Sequence, residues 1–120
     1  MKSYTDLEQS KKLIEILPLE SADMYYSKYE TTYAKTLTKY DITNANVLYG
    51  SYDIRYFNIC ERTPCWSLAA LYSILPTFTL DSSDDKYFRI HCYKKISEWY
   101  NNPIDACVEM IIKLKDLNLL

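Results

Sequence analysis

The segment KYFRIHCYK, residues 86–94, constrains the fold of this chain more than any other stretch. Side chains alternate between the two faces of a β-strand, so an extended backbone sorts this segment into an apolar and a polar set. The apolar set is Phe88, Ile90 and Cys92, and the polar set is Tyr87, Arg89, His91 and Tyr93. Such a strand needs helices against its apolar face and leaves the other face open. The segment therefore predicts a two-layer α+β arrangement.

Two segments in the first two thirds of the chain carry the signals of short helices. The segment TDLEQSKKLIEILP, residues 5–18, starts with a capping box of Thr5 and Glu8 and ends before a proline. In PCWSLAALYSILP, residues 64–76, Ser67 is the favoured N-cap. Thr63 as the cap, with Pro64 at the first helical position, is the alternative.

The C-terminal helix has the clearest signals. Asn102 is a good N-cap, Pro103 suits the first helical position, and Asp105 complements the helix dipole in the first turn. Glu109 and Lys113 form an ion pair of favourable order four residues apart. The residues at helical spacing that are expected in the core are Ile104, Cys107, Val108, Ile111 and Leu114.

The strand signals lie between these helices. Gly50 and Ser51 fit a hairpin turn within residues 47–59, and the stretch from Ile54 to Ile59 favours a strand. TFTLDSS, residues 77–83, predicts a strand that a turn joins to KYFRIHCYK, and ISEWY, residues 96–100, is compatible with a third. Residues 19–46 are rich in tyrosine and threonine and follow no clean period.

Together these elements predict one α+β domain over residues 1–120, in which residues 19–46 are poorly defined. We expect two layers: an antiparallel sheet of about 4–5 short strands and three short helices. The predicted order is helix, hairpin, helix, two or three strands, and helix.

Composition excludes several classes of protein. The single glycine, Gly50, rules out glycine-rich phosphate loops and the dinucleotide-binding fingerprint. A net charge of −2 and a pI near 5.4 argue against binding to duplex nucleic acid. No run of apolar residues is long enough to span a membrane, and the N-terminus lacks the apolar core of a secretory signal. The sequence thus predicts a cytoplasmic location.

The four cysteines are expected to be buried thiols in a reducing compartment. Cys60 and Cys65 together with His91 and Cys92 are the alternative, a zinc site, but their spacing lacks the paired ligand arms of such sites. We therefore predict no metal and no cofactor. The carboxylates of Asp81, Asp84 and Asp85 are expected to solvate their turn or to form ion pairs with the basic strand that follows them, and a metal site is the alternative.

The polar set of KYFRIHCYK is the predicted binding surface. Tyr87 and Tyr93 bracket Arg89 and His91 along a row of about 20 Å, and Arg55 is a further candidate. Such a row can stack against an aromatic ring and meet a phosphate or carboxylate, or it can be the ordinary solvated side of a sheet. No catalytic residue is predicted, because His91 is the only histidine and no motif places a thiol beside it.

Three segments resemble small uncharacterised proteins that phages and mobile elements of gut Bacteroidetes encode. They are EQSKKLIEILPLESADMYY, PCWSLAALYSILP and NPIDACVEMIIKLKDLNLL. The resemblance implies a phage or mobile-element origin and a bacterial host cytoplasm, and it transfers no functional residue.

The sequence therefore predicts a non-catalytic accessory protein that binds a host protein, such as a defence or regulatory factor, through a tyrosine-rich surface; the chain has 13 tyrosines. The alternative is a protein that sequesters a small anionic nucleotide, and a small enzyme is a third reading. An open sheet edge would also allow a homodimer.

Overall fold

The structure, a computed structural model, describes residues 2–31, 40–44 and 57–120. In this part of the chain, three α-helices accompany two antiparallel sheets of three strands each. The elements are α1 Leu7–Ile14, β1 Met24–Thr31, β2 Tyr40–Asn44, β3 Phe57–Cys65, α2 Leu68–Ile74, β4 Phe78–Ser83, β5 Tyr87–Cys92, β6 Lys95–Ile96 and α3 Pro103–Asp116, with a 3₁₀ turn at Leu19–Ser21. The α+β class is confirmed, but the prediction of a single sheet is wrong because the strands divide into two.

The first sheet has the order β2-β1-β3, so β1 is its central strand. Met24 pairs with Asn44 on one side and with Cys65 on the other. Both β1 and β2 come from residues 19–46, where the sequence is rich in tyrosine and threonine and has no clean period. The hairpin turn predicted at Gly50 and Ser51 lies outside the described residues.

The strand predicted to end at Ile59 continues as β3 to Cys65. Pro64 is therefore in a strand, and the alternative cap of α2 at Thr63 is wrong. The favoured cap is confirmed, since Ser67 Oγ accepts a hydrogen bond from the Ala70 amide at 3.2 Å.

The second sheet has the order β4-β5-β6 and is built from two tight hairpins. Asp84 and Asp85 turn the first with φ of 53° and 57°, and Tyr93 and Lys94 turn the second with φ of 48° and 63°. Hairpin turns usually place glycine or asparagine in this left-handed region. The strand predicted over KYFRIHCYK therefore ends at Cys92, and Tyr93 belongs to a turn.

The capping box predicted at the start of α1 is displaced by one residue. Asp6 Oδ1 accepts from the Gln9 amide at 2.8 Å, and Gln9 Oε1 accepts from the Asp6 amide at 3.0 Å. Thr5 does not cap because its side chain is buried, with its hydroxyl 2.8 Å from Ser10 Oγ. The competing tertiary contact explains why the box of Thr5 and Glu8 is wrong.

The C-terminal helix α3 forms the centre of the core. Asn102 Oδ1 accepts from the Asp105 amide at 2.9 Å, which confirms the predicted cap. The residues predicted to face the core are all buried: Ile104, Cys107, Val108, Ile111 and Leu114. This face packs on β5, whose Ile90 and Cys92 are also buried, while α1 and α2 pack against α3 from its other sides. Among the described residues, no helix combines the length and the apolar composition needed to cross a bilayer.

Trp66 joins three separate parts of the chain at the junction of β3 and α2. Its side chain is 0% exposed, and its indole N–H donates to Ser21 Oγ at 2.9 Å. Its backbone amide donates to Thr5 Oγ1 at 3.1 Å, and its carbonyl accepts from the Thr5 amide at 2.9 Å. The neighbouring Ser67 donates to Asp23 through both its amide and its hydroxyl. The segments before and after α1 are thus fixed to the start of α2.

A polar cluster ties the N-terminal segment to the start of α3. Lys2 Nζ donates to Asp105 Oδ1 at 2.8 Å and to Asp6 Oδ2 at 3.1 Å, and Gln9 Nε2 donates to the same Asp105 oxygen at 2.7 Å. Partial burial raises the pKa of Asp105, but hydrogen bonds from Lys2, Asn102 and Gln9 outweigh it and hold this pKa below its ordinary value of 3.8.

Trp66→Ala should lower the free energy of unfolding by about 3–5 kcal/mol, because it removes a fully buried ring and leaves a cavity. The matched control is Trp99→Ala, since Trp99 is 43% exposed and its loss should cost about 1 kcal/mol or less. Urea unfolding followed by circular dichroism measures both values. Equal losses would contradict the structural role given to Trp66.

Lys2→Met should destabilise the protein more at about pH 6 than at about pH 3. The pKa of Asp105 is depressed in the folded state, so the stability that its ion pair contributes is present above pH 3.8 and is lost as the pH falls through the folded pKa. Urea unfolding at the two pH values measures the difference. Lys12→Met, a change of an exposed lysine in α1, is the control, and a pH-independent effect of Lys2→Met would refute this account.

Candidate functional site

The side of the second sheet that faces away from α3 is the candidate site, and we call it the outer face. It consists of Tyr87, Arg89 and His91 of β5, Ile96 of β6, and Trp99. Tyr87 is 52%, Ile96 45% and Trp99 43% exposed. Large apolar side chains are thus grouped on one side of a sheet whose other side is covered by a helix.

Arg89 lies at the centre of the outer face and is held from both sides. Asp81 is its direct neighbour on β4, and its carboxylate Oδ2 accepts from Arg89 Nε at 2.9 Å. On the other side, the guanidinium carbon lies 4.4 Å from the centre of the Trp99 ring. A cation over an indole face is stabilised by the ring quadrupole. The Asp81 carboxylate therefore balances the charge of Arg89 within the protein, and the guanidinium group of Arg89 packs against the Trp99 ring.

A shallow cleft of about 310 Å³ opens beside this row. Ser83, Tyr87 and Trp99 line it. Two aromatic side chains and a serine hydroxyl offer contact area with little side-chain entropy to lose. This arrangement suits a flat or apolar group of a partner.

The predicted site residues are only partly brought together. Tyr87, Arg89 and His91 lie on the outer face, as the alternation along the strand predicts. Tyr93 is 53% exposed but lies in the turn after β5, so it does not continue the row. Arg55 lies outside the described residues.

Trp99 is the site residue that the sequence analysis did not predict. His91 pairs with Ile96, whereas Phe88 pairs with Tyr100, so the chain between them holds one residue more than its partner. A one-residue irregularity of this kind exchanges the two faces of the residues that follow it. A regular strand would have turned Trp99 inward. The aromatic residues of ISEWY are the only sequence signal that could have indicated Trp99 as a site residue.

The ion pairing expected for the acidic turn occurs at one of its three carboxylates, since Asp81 binds Arg89. Asp84 and Asp85 are exposed, and their backbones form the hairpin turn.

The described thiols are placed for packing. Cys65, Cys92 and Cys107 are buried free thiols, and burial raises the pKa of Cys65 and of Cys107 to about 12. His91 is exposed on the outer face, whereas Cys92 points to the opposite side of the same strand. The arrangement therefore does not form the activated thiolate that nucleophilic catalysis uses. The side chain of Cys60 is not described.

The residues considered for a zinc site are also separated. Cys65 lies in the core at the end of β3, and His91 is exposed on another sheet. Over residues 2–31, 40–44 and 57–120, no three or more His, Cys, Asp or Glu side chains are grouped so that they could hold a metal ion.

Two further grooves lie away from the outer face. One, between α1 and α3, is lined by the Lys2 cluster together with Tyr100 and Glu109. The other runs between the 3₁₀ turn and α2 over Ala69, Ala70 and Ser73. The charged side chains of Lys2, Asp6 and Asp105 in the first groove pair with one another, and the second groove is also lined by Glu20, Asp23 and Ile74.

Comparisons of the chain with protein-family models, with curated proteins and with solved structures give no match.

In the Cys60→Ser variant, the three remaining thiols should react slowly with a thiol-specific disulfide reagent in the native state and rapidly in urea. Burial disfavours both access and the thiolate form. The absorbance of the released thiolate measures the reaction. A fast native phase would show that one of these cysteines is activated, and Cys92→Ser and Cys107→Ser in the same background would identify it.

Proposed function

We propose that this chain is a non-catalytic binding protein whose partner is another protein, and that the outer face is the contact surface. The observation that carries the proposal is the grouping of Tyr87, Ile96 and Trp99, all exposed, around the balanced charge of Arg89. Tryptophan, tyrosine and arginine are the residues that most often dominate the energy of protein interfaces.

The state of Arg89 favours a protein over an anionic nucleotide as the ligand. A phosphate would have to bind beside the Asp81 carboxylate, which accepts from Arg89 Nε at 2.9 Å and would repel it. A protein partner need not place a negative charge beside this carboxylate. An arginine that is already paired and stacked can be buried in an interface as a preorganised group. The turn residue Lys94 adds positive charge near one end of the face.

The resemblance of three sequence segments to phage and mobile-element proteins supports a host protein as the partner and the bacterial cytoplasm as the place of binding. The large share of tyrosine in the chain supports a binding function, since tyrosine supplies rigid contact area with a polar tip.

Trp99→Ala and Tyr87→Ala should each weaken partner binding by about tenfold or more, the loss typical of a central interface residue. Tagged wild-type protein is used to capture partners from host lysate, with quantitative mass spectrometry as the readout. A candidate counts only if both variants lose it and purified protein reproduces the affinity difference by calorimetry. Leu19→Ala, a change of an exposed leucine on the 3₁₀ turn, is the matched control and should bind as the wild type does.

The nucleotide alternative is tested on the same preparations. Wild-type protein should show no rise in melting temperature with a panel of nucleoside phosphates, since a ligand that binds only the folded state would raise it. A rise that Arg89→Ala abolishes would overturn the proposal in favour of a nucleotide-binding protein. Partners retained equally by Trp99→Ala, Tyr87→Ala and wild type would refute the outer face as the contact surface.

A further inference from the structure

Glu109 of α3 lies on the opposite side of the second sheet from the outer face, yet three hydrogen bonds connect it to the segment that carries Trp99. Its carboxylate accepts from the Glu98 amide at 3.0 and 3.3 Å and from the Tyr100 hydroxyl at 3.0 Å. Trp99 lies between these two donors in sequence. The next turn of α3 adds Lys113, whose Nζ donates to the carbonyl of Ile96 at 3.1 Å.

The hydrogen bonds along β5 show why the Glu98 amide needs this partner. The Ser97 amide donates to the carbonyl of Ile90 at 2.9 Å, and the Tyr100 amide donates to the carbonyl of Phe88 at 2.8 Å. The Ile90 amide donates to Ser97 Oγ at 2.9 Å. An extra residue in a strand leaves its own amide outside the ladder. Residues 98 and 99 together lie opposite Arg89, and the Glu98 amide donates to Glu109 instead of to β5.

We propose that Glu109 is a positioning residue that stabilises the irregular pairing of residues 96–100 and thereby turns Trp99 to the outer face. This inference rests on the proposed function, because it concerns how the contact surface is assembled. Without Glu109, the Glu98 amide loses its acceptor, and the regular register, in which Trp99 points towards the helix layer, gains in relative stability.

The burial of Tyr100 supports this role. Burial and then its hydrogen bond to Glu109 raise the pKa of Tyr100 to about 12. The phenol therefore stays protonated and continues to donate to the carboxylate over the range in which the protein is handled. The hydrogen bonds from the Glu98 amide and the Tyr100 hydroxyl to Glu109 hold the chain on either side of Trp99. The orientation of the indole therefore depends on contacts on the helix side of the sheet.

The two tryptophans make the inference measurable without a partner. Trp66 is buried and donates to Ser21, whereas Trp99 is exposed and stacked on Arg89, so their indole N–H resonances in a ¹⁵N-correlated spectrum should differ. Glu109→Ala should shift the Trp99 resonance and change quenching of its fluorescence by acrylamide, while the Trp66 resonance stays in place as evidence of folding. Glu109→Gln keeps one acceptor oxygen and should give an intermediate shift.

Asp116→Ala is the matched control, since it removes another carboxylate of α3, at an exposed position. Tyr100→Phe removes the hydroxyl donor alone and should shift Trp99 less than Glu109→Ala does. If Glu109→Ala leaves the Trp99 resonance and its quenching as they are in Asp116→Ala, the inference is wrong. If Glu109→Ala fails to fold, the test uses Glu109→Gln and Tyr100→Phe instead. The inference requires the Trp99 indole resonance to shift in both of these variants.

Partner affinity separates this inference from the proposed function. Glu109→Ala should weaken partner binding by about tenfold although its side chain lies off the contact surface. If Trp99→Ala abolishes capture and Glu109→Ala leaves both capture and the Trp99 signals unchanged, the inference alone fails. If Trp99→Ala leaves capture unchanged, the proposed function fails, whatever Glu109→Ala does to the spectrum.

Discussion

The burial of Trp66 is the constraint on which the rest of the described fold depends. A fully enclosed indole with its N–H bonded to Ser21 fixes the chain where β3 ends and α2 begins. Two hydrogen bonds between Trp66 and Thr5, one from the Trp66 amide to the Thr5 hydroxyl and one from the Thr5 amide to the Trp66 carbonyl, then place the start of α1. Burying a large ring is favourable only if every polar group around it is satisfied, so the packing and the hydrogen bonds are inseparable here.

The second sheet is organised differently, because its shape depends on pairing rather than on one buried ring. Two hairpins with non-glycine residues in the left-handed region hold three strands in register. Such residues cost about 1–2 kcal/mol each, and the packing of β5 on α3 offsets that cost. One side of this sheet is therefore rigidly supported. The rigidity of that support is what makes its exposed aromatic side chains suitable for contact with a partner.

The balance of charge on the outer face also shapes what the protein can do. Arg89 would be an anion site if it stood alone, but Asp81 neutralises it and Trp99 covers one side of its plane. The same three side chains thus form a surface of low net charge and high aromatic content. We propose that a surface of this kind binds a protein and that Glu109 orients the indole from the helix side of the sheet.

The sequence by itself determined the elements whose signals are local. Asn102 and Ser67 as caps, the buried face of α3 and the alternation along β5 could all be predicted, because each depends on residues within a few positions of one another. The ion pairing of the acidic turn could also be predicted, since Asp81 and Arg89 flank a single hairpin.

Only the tertiary structure decided the features that join distant residues. The cap of α1 moved from Thr5 to Asp6 because Trp66, far along the chain, binds the threonine. The division into two sheets depends on strand partners that no local pattern specifies. The exposure of Trp99 depends on one extra residue between two pairings, and a single such residue reverses which side chains face the core. The periodicity of the sequence cannot reveal this extra residue, because the hydrogen bonds proposed to stabilise the irregular pairing come from Glu109 on another element.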